Sequence, residues 1–96
     1  MIWQNSKMDS LYYTKHAAEE GTHCIVKITD DEILVEYEGD DGLRQYVGKN
    51  SGDGHFELHT PDGEGQATLH QSPNSEVLEG SWIEAGERGM WRIELG

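Results

Sequence analysis

The chain is punctuated at intervals of roughly ten residues by clusters of glycine, proline, asparagine, aspartate and serine, the residues that build tight turns. "TDDE", "EGDDG", "NSGDG", "TPDGEG", "SPNS" and "EAGERG" follow one another from Thr29 to Gly89. Between them lie short runs enriched in β-branched and aromatic residues, too short for stable helices and right for strands. This spacing predicts consecutive antiparallel hairpins. Nothing between the clusters reads as a linker, so residues 1–96 form a single domain.

Register follows from a simple rule. Facing residues in a hairpin share a constant sum of residue numbers, and an inward residue must face an inward residue. A four-residue loop over Ala85 to Arg88 sets Trp82 against Trp91, Gly80 against Ile93 and Leu78 against Leu95. A loop over Ser72 to Ser75 sets Leu69 against Leu78 and Ala67 against Gly80. A loop over Pro61 to Glu64 sets Phe56 against Leu69 and Leu58 against Ala67. Loops at Asn50–Asp53 and Gly39–Leu43 set Val47 against both Phe56 and Val35. The loop Thr29–Glu32 sets Val26 against Val35 and Cys24 against Tyr37. Seven strands so defined share one apolar face.

An eighth strand is expected in "SLYYTKH", with Leu11 and Tyr13 turned inward and Ile2 and Trp3 covering one end. The competing reading is a helix through Met8, Leu11, Tyr12 and Lys15. An even strand number lets the first and last strands meet antiparallel and removes both exposed edges. The expected fold is therefore all-β: an antiparallel up-and-down meander of seven to eight strands in a small closed or nearly closed barrel.

Composition narrows function by exclusion. Lys and Arg number 7 against 19 Asp and Glu, a net charge of −12. Such a chain repels nucleic acid phosphates and anionic membranes, and favours a basic or cationic partner. "MIWQNSKMDS" carries no apolar signal-peptide core, and no stretch approaches the ~20 apolar residues of a membrane span, so a cytoplasmic location is expected. Cys24 is the lone cysteine and reads as a small inward hydrophobe. No nucleophile elbow, P-loop, dinucleotide fingerprint or H-E-x-x-H motif is present, and no cofactor is expected.

Two sets of residues stand out as candidate sites. On the apolar face, Tyr37 and Gln45 form the one facing inward pair with hydrogen-bonding side chains; with Trp82 and Trp91, which are expected to be core, they are the candidate ligand-binding residues. A small apolar ligand entering the barrel would meet them first. On the polar face, His55, Glu57 and His59 alternate along one strand, with His70 opposite His55 and with Arg44 and Tyr46 alongside. Imidazoles and carboxylates together suit either Zn²⁺, with His55, His59 and His70 as ligands, or acid–base chemistry near neutral pH. His16 and His23 read as another cross-strand pair. The acidic turn residues Asp40, Asp41, Asp62 and Glu64 gather at one rim.

"LEGSW" followed by "GMWRIEL" resembles the late strands of calycin-type meander barrels, the avidin-like and lipocalin-like proteins. That resemblance covers the C-terminal strands and implies a small-molecule binder with its ligand inside the barrel. The sequence reading is thus a small soluble binding or interaction module without catalytic activity, monomeric or homodimeric, whose partner is a small apolar molecule or a basic protein. The alternatives are a ligand- or metal-assisted enzyme on the His/Glu face, and a structural subunit assembling through Ile25, Leu34, Ile83 and Met90.

Overall fold

A computed structural model describes residues 1–39 and 42–96. Eight strands follow in chain order: β1 (Ile2–Tyr12), β2 (Glu19–Ile28), β3 (Glu32–Gly39), β4 (Gly42–Asn50), β5 (His55–His59), β6 (Gly65–His70), β7 (Val77–Glu84) and β8 (Glu87–Glu94). Each pairs antiparallel with the next, and β1 closes on β8 through Met8–Ile93, Ser10–Trp91 and Tyr12–Gly89. The meander barrel leaves no unpaired edge among the described strands. Among the described residues there is no helix long and apolar enough to cross a membrane.

The core is the row of inward side chains, among them Met8, Cys24, Val26, Ile33, Val35, Tyr46, Phe56, Leu58, Leu69, Leu78 and Ile93. Each tryptophan of the late strands sits between small residues. Trp91 pairs with Gly80 on one side and Ser10 on the other, and Trp82 pairs with Gly89 and Ala67. Alternation of large and small is what lets indoles fit inside so narrow a barrel. Burial pushes the Cys24 thiol up to about 12, so it stays protonated and packs as a hydrophobe.

Several registers are as expected: Val26–Val35, Cys24–Tyr37, Phe56–Leu69, Leu58–Ala67 and His55–His70. The last two hairpins are displaced by two residues, which keeps the faces but changes partners. Trp82 and Trp91 are not directly opposite; they are diagonal neighbours whose rings stack at 6.1 Å. The cause is the turn. Ala85 (φ 50°) and Gly86 (φ 83°) form a two-residue loop rather than a four-residue one, with both residues left-handed as the twist of a hairpin demands. Likewise Leu69 faces Gly80 and Ala67 faces Trp82.

Strand β4 differs more. It pairs Val35 with Tyr46 and Leu58 with Gly48, a shift that exchanges its faces. Tyr46 is fully buried, Gln45 is exposed, and Val47 lies on the outer side. Both faces of "LRQYVG" mix polar and apolar residues, so hydrophobic pattern alone does not set the register. Burying the Tyr46 ring against Trp91, at 4.9 Å edge-to-face, decides it. Gly48 takes a place on the inward row where no side chain fits, since a Cβ there would strike the Glu57 carbonyl.

The first strand exists, but it begins at Ile2, and the inward face is the other one. Ser6, Met8 and Ser10 are buried, whereas Leu11 and Tyr13 are 51% and 58% exposed. Ile2 and Trp3 belong to the strand; Ile2 is exposed, whereas Trp3 is partly buried and packs against the core. Small Ser10 beside Trp91 and Gly89 beside Tyr12 account for the choice: the inward indole needs a short neighbour. On the outer face, Ile83 is exposed while Ile25, Leu34 and Met90 are half-buried.

Candidate functional site

The structure separates the expected inward pair. Tyr37 faces Arg44, and Gln45 stands outside, donating to Glu36 at 2.7 Å. Arg44 and Tyr46 leave the histidine face for the same reason: the exchange of faces in β4 turns them inward. His55, Glu57, His59 and His70 do share the outer face of β5 and β6. The Nδ1 atoms of His55 and His70 lie 3.3 Å apart, and His55 Nε2 is 3.9 Å from Glu57. His59 instead faces Gln66 and Val47. Among the described residues no three His, Cys, Asp or Glu side chains converge to hold a metal ion. His16 and His23 are not a pair: His16 contacts Glu87 at 2.6 Å and His23 the Gln4 carbonyl at 2.6 Å.

A different place gathers the polar groups. One end of the barrel opens as a mouth of about 270 Å³, bounded by the end of β1, the start of β2, the β3–β4 hairpin and the β7–β8 turn. Its floor is aromatic. Trp91 lies edge-on to Tyr46 at 4.9 Å and to Tyr37 at 6.0 Å, and Trp82 lies edge-on to Tyr12 at 5.1 Å. With these rings at 6% and 3% exposure for Trp82 and Trp91, the tryptophans seal the lumen below the mouth. Asp62 and Glu64 lie close by in the β5–β6 turn, while the expected rim residues Asp40 and Asp41 lie outside the described residues.

Carboxylates ring this floor and are held by named partners. Glu84 accepts a short hydrogen bond from the Tyr46 hydroxyl, and the Arg44 guanidinium lies 3.6 Å from its other oxygen. Arg44 also lies 3.7 Å from Asp62, whose carboxyl is held below its usual range by the Thr60 hydroxyl, the Glu64 amide and, more weakly, Arg44. Tyr12 donates to Glu19 at 2.8 Å. Glu38 and Glu87 complete the ring. The Glu84 charge raises the Arg44 pKa further, keeping it cationic. Trp82 contributes an unmet donor: its Nε1–H is buried without an acceptor among the described residues.

Burial, reinforced by the Glu84 charge, lifts the Tyr37 phenol well above the ordinary tyrosine range. Burial and then the hydrogen bond to Glu84 do the same for Tyr46. Both therefore act as neutral donors. The stability this contributes is complete below pH 10.0, where unfolded tyrosine ionises, and is lost as pH rises toward the elevated native values. Alkaline titration should show phenolate absorbance from these two rings appearing together with loss of the barrel's circular dichroism. Reversible ionisation of all 4 tyrosines in a folded barrel would contradict their placement.

Sequence reading missed Tyr12, Glu19, Glu38, Glu84 and Glu87 because each sits at a strand end, where a carboxylate reads as ordinary turn polarity. Glu84 and Glu87 bracket a two-residue turn that Ala85 does not announce, so no local signal marked them. No family model, curated protein or solved structure matches the chain significantly.

Proposed function

We propose that this barrel is a small-ligand-binding module without catalytic activity, and that it takes its ligand at the mouth rather than in the lumen. One observation carries this: a concave site in which an aromatic floor and carboxylates already fixed by phenols and a guanidinium converge. Binding sites combine an apolar wall with a few oriented polar groups in this way, and orientation before binding lowers the entropic cost of association. The barrel interior is filled by Leu, Ile, Val and Phe side chains, which supports a ligand above the rings rather than beneath them. The calycin-type resemblance thus contributes the binding role but not the position of the ligand. The His55–His70 pair lies on the convex outer face, where among the described residues no third His, Cys, Asp or Glu converges to hold a metal ion, and supports an enzyme less well.

Amide chemical-shift mapping against a panel of fragment-sized cationic, neutral and anionic compounds tests the site. Saturable shifts should cluster at Tyr12, Glu19, Glu38, Arg44 and Glu84. Shifts centred on His55 and His70, or on Phe56 and Leu69, would overturn it.

A further inference from the structure

Resting on that reading of the mouth, we propose that its ligand is an organic cation, a guanidinium or primary ammonium head group bonded to a chain that carries an oxygen acceptor. The charge inventory leads there. Among the described residues, Glu19, Glu38, Glu84 and Glu87 line the cavity against one cationic side chain, Arg44. Arg44 is already flanked by Glu84 and Asp62, so it offers little to an anion. The remaining carboxylates leave the mouth strongly negative, within a protein whose charge is −12. Such a concave site focuses the field and enriches cations.

Size and surface agree. A volume of about 270 Å³ lies just below the ~300 Å³ at which pockets for drug-sized ligands begin, so a head group fits and a large apolar ligand does not. The rings at the walls, Tyr12 and Tyr37, add negative π faces, which attract cations. Trp82 is among the residues lining the cavity, and its buried Nε1–H has no acceptor among the described residues; a carbonyl or hydroxyl oxygen on the ligand would supply one. A carboxylate ligand would supply it too, but at the cost of facing the four glutamates.

The test compares N-acetylarginine methylamide with its citrulline counterpart, which keeps shape and carbonyls and loses only the charge. Butylguanidinium reports whether a free head group suffices. Capped arginine should bind about tenfold tighter than capped citrulline, through several modest exposed pairings, and should move the Trp82 indole N–H resonance. Its affinity should fall with rising ionic strength. Glu38→Gln should weaken binding, and Arg44→Gln, which removes the competing cation, should strengthen it. Tighter binding by capped arginine than by butylguanidinium, which has no oxygen, supports the acceptor; equal binding by butylguanidinium would overturn the acceptor while leaving the cation. Equal affinity for capped arginine and citrulline at the mouth, or mouth binding by anionic fragments alone, would overturn the charge assignment while leaving the site. If no compound of any charge reaches the mouth, the site itself falls.

Discussion

Replacing Trp91 by alanine should remove ~3–5 kcal/mol of stability, the cost of deleting a buried large aromatic and leaving a cavity. Trp91 is 3% exposed and touches three other rings: Tyr46 at 4.9 Å, Tyr37 at 6.0 Å and Trp82 at 6.1 Å. Its register neighbours Ser10 and Gly80 are too small to fill the space it leaves. For a domain with a total stability of ~5–15 kcal/mol this is a large share. Urea denaturation followed by circular dichroism measures it. The outward Ile83→Ala should cost far less, since Ile83 is 47% exposed. A loss below ~1 kcal/mol for Trp91→Ala would mean that the ring is not a core element.

Gly80→Ala is the second large expectation, and its sign is diagnostic. Alanine in place of a strand-interior glycine ordinarily stabilises by roughly 0.5–1 kcal/mol, because glycine loses more backbone freedom on folding. At Gly80 an added Cβ would strike the backbone carbonyl of Thr68 on β6, where nothing flexible can yield. Moving that strand would disturb the Leu69–Gly80 and Ala67–Trp82 pairings together. Overpacking of this kind costs about 3 kcal/mol, at the upper end of its usual range. Gly89→Ala should behave alike, because its Cβ would meet the Leu11 carbonyl across the β1–β8 closure. By contrast, an added Cβ at Gly21 meets nothing, although its φ of 69° strains any other residue. A neutral or stabilising Gly80→Ala would contradict the close strand approach.

The barrel was legible in the sequence because turn residues recur where hairpins must reverse, and the strands between them alternate. Registers were legible where one face is cleanly apolar, as in "HFELH" and "QATLH", whose pairing follows the expected sums. They were illegible where pattern is silent. "LRQYVG" offers two faces of similar polarity, and the tie is broken by the long-range contact of Tyr46 with Trp91 and Glu84. Ala85 in a left-handed turn gives no local warning of a two-residue loop, since alanine rarely adopts that conformation. Of the mouth, Tyr37, Trp82 and Trp91 were legible from the sequence, whereas its carboxylates were not. Its carboxylates come from strand ends far apart in the chain, and Arg44 was assigned to the wrong face. The half of the candidate site that was legible, His55 opposite His70, lies in a correctly registered hairpin.

Whether ligand sits above the ring cluster or beneath it is the question on which the functional account stands. Intermolecular nuclear Overhauser effects from capped arginine to the barrel answer it most directly. The side-chain methylene protons should show contacts to the rings of Tyr12 and Tyr37, which wall the mouth, and to Trp91 at its floor. Contacts instead to Phe56, Leu58 and Leu69, deep in the lumen, would contradict a mouth site and return the ligand to the barrel interior.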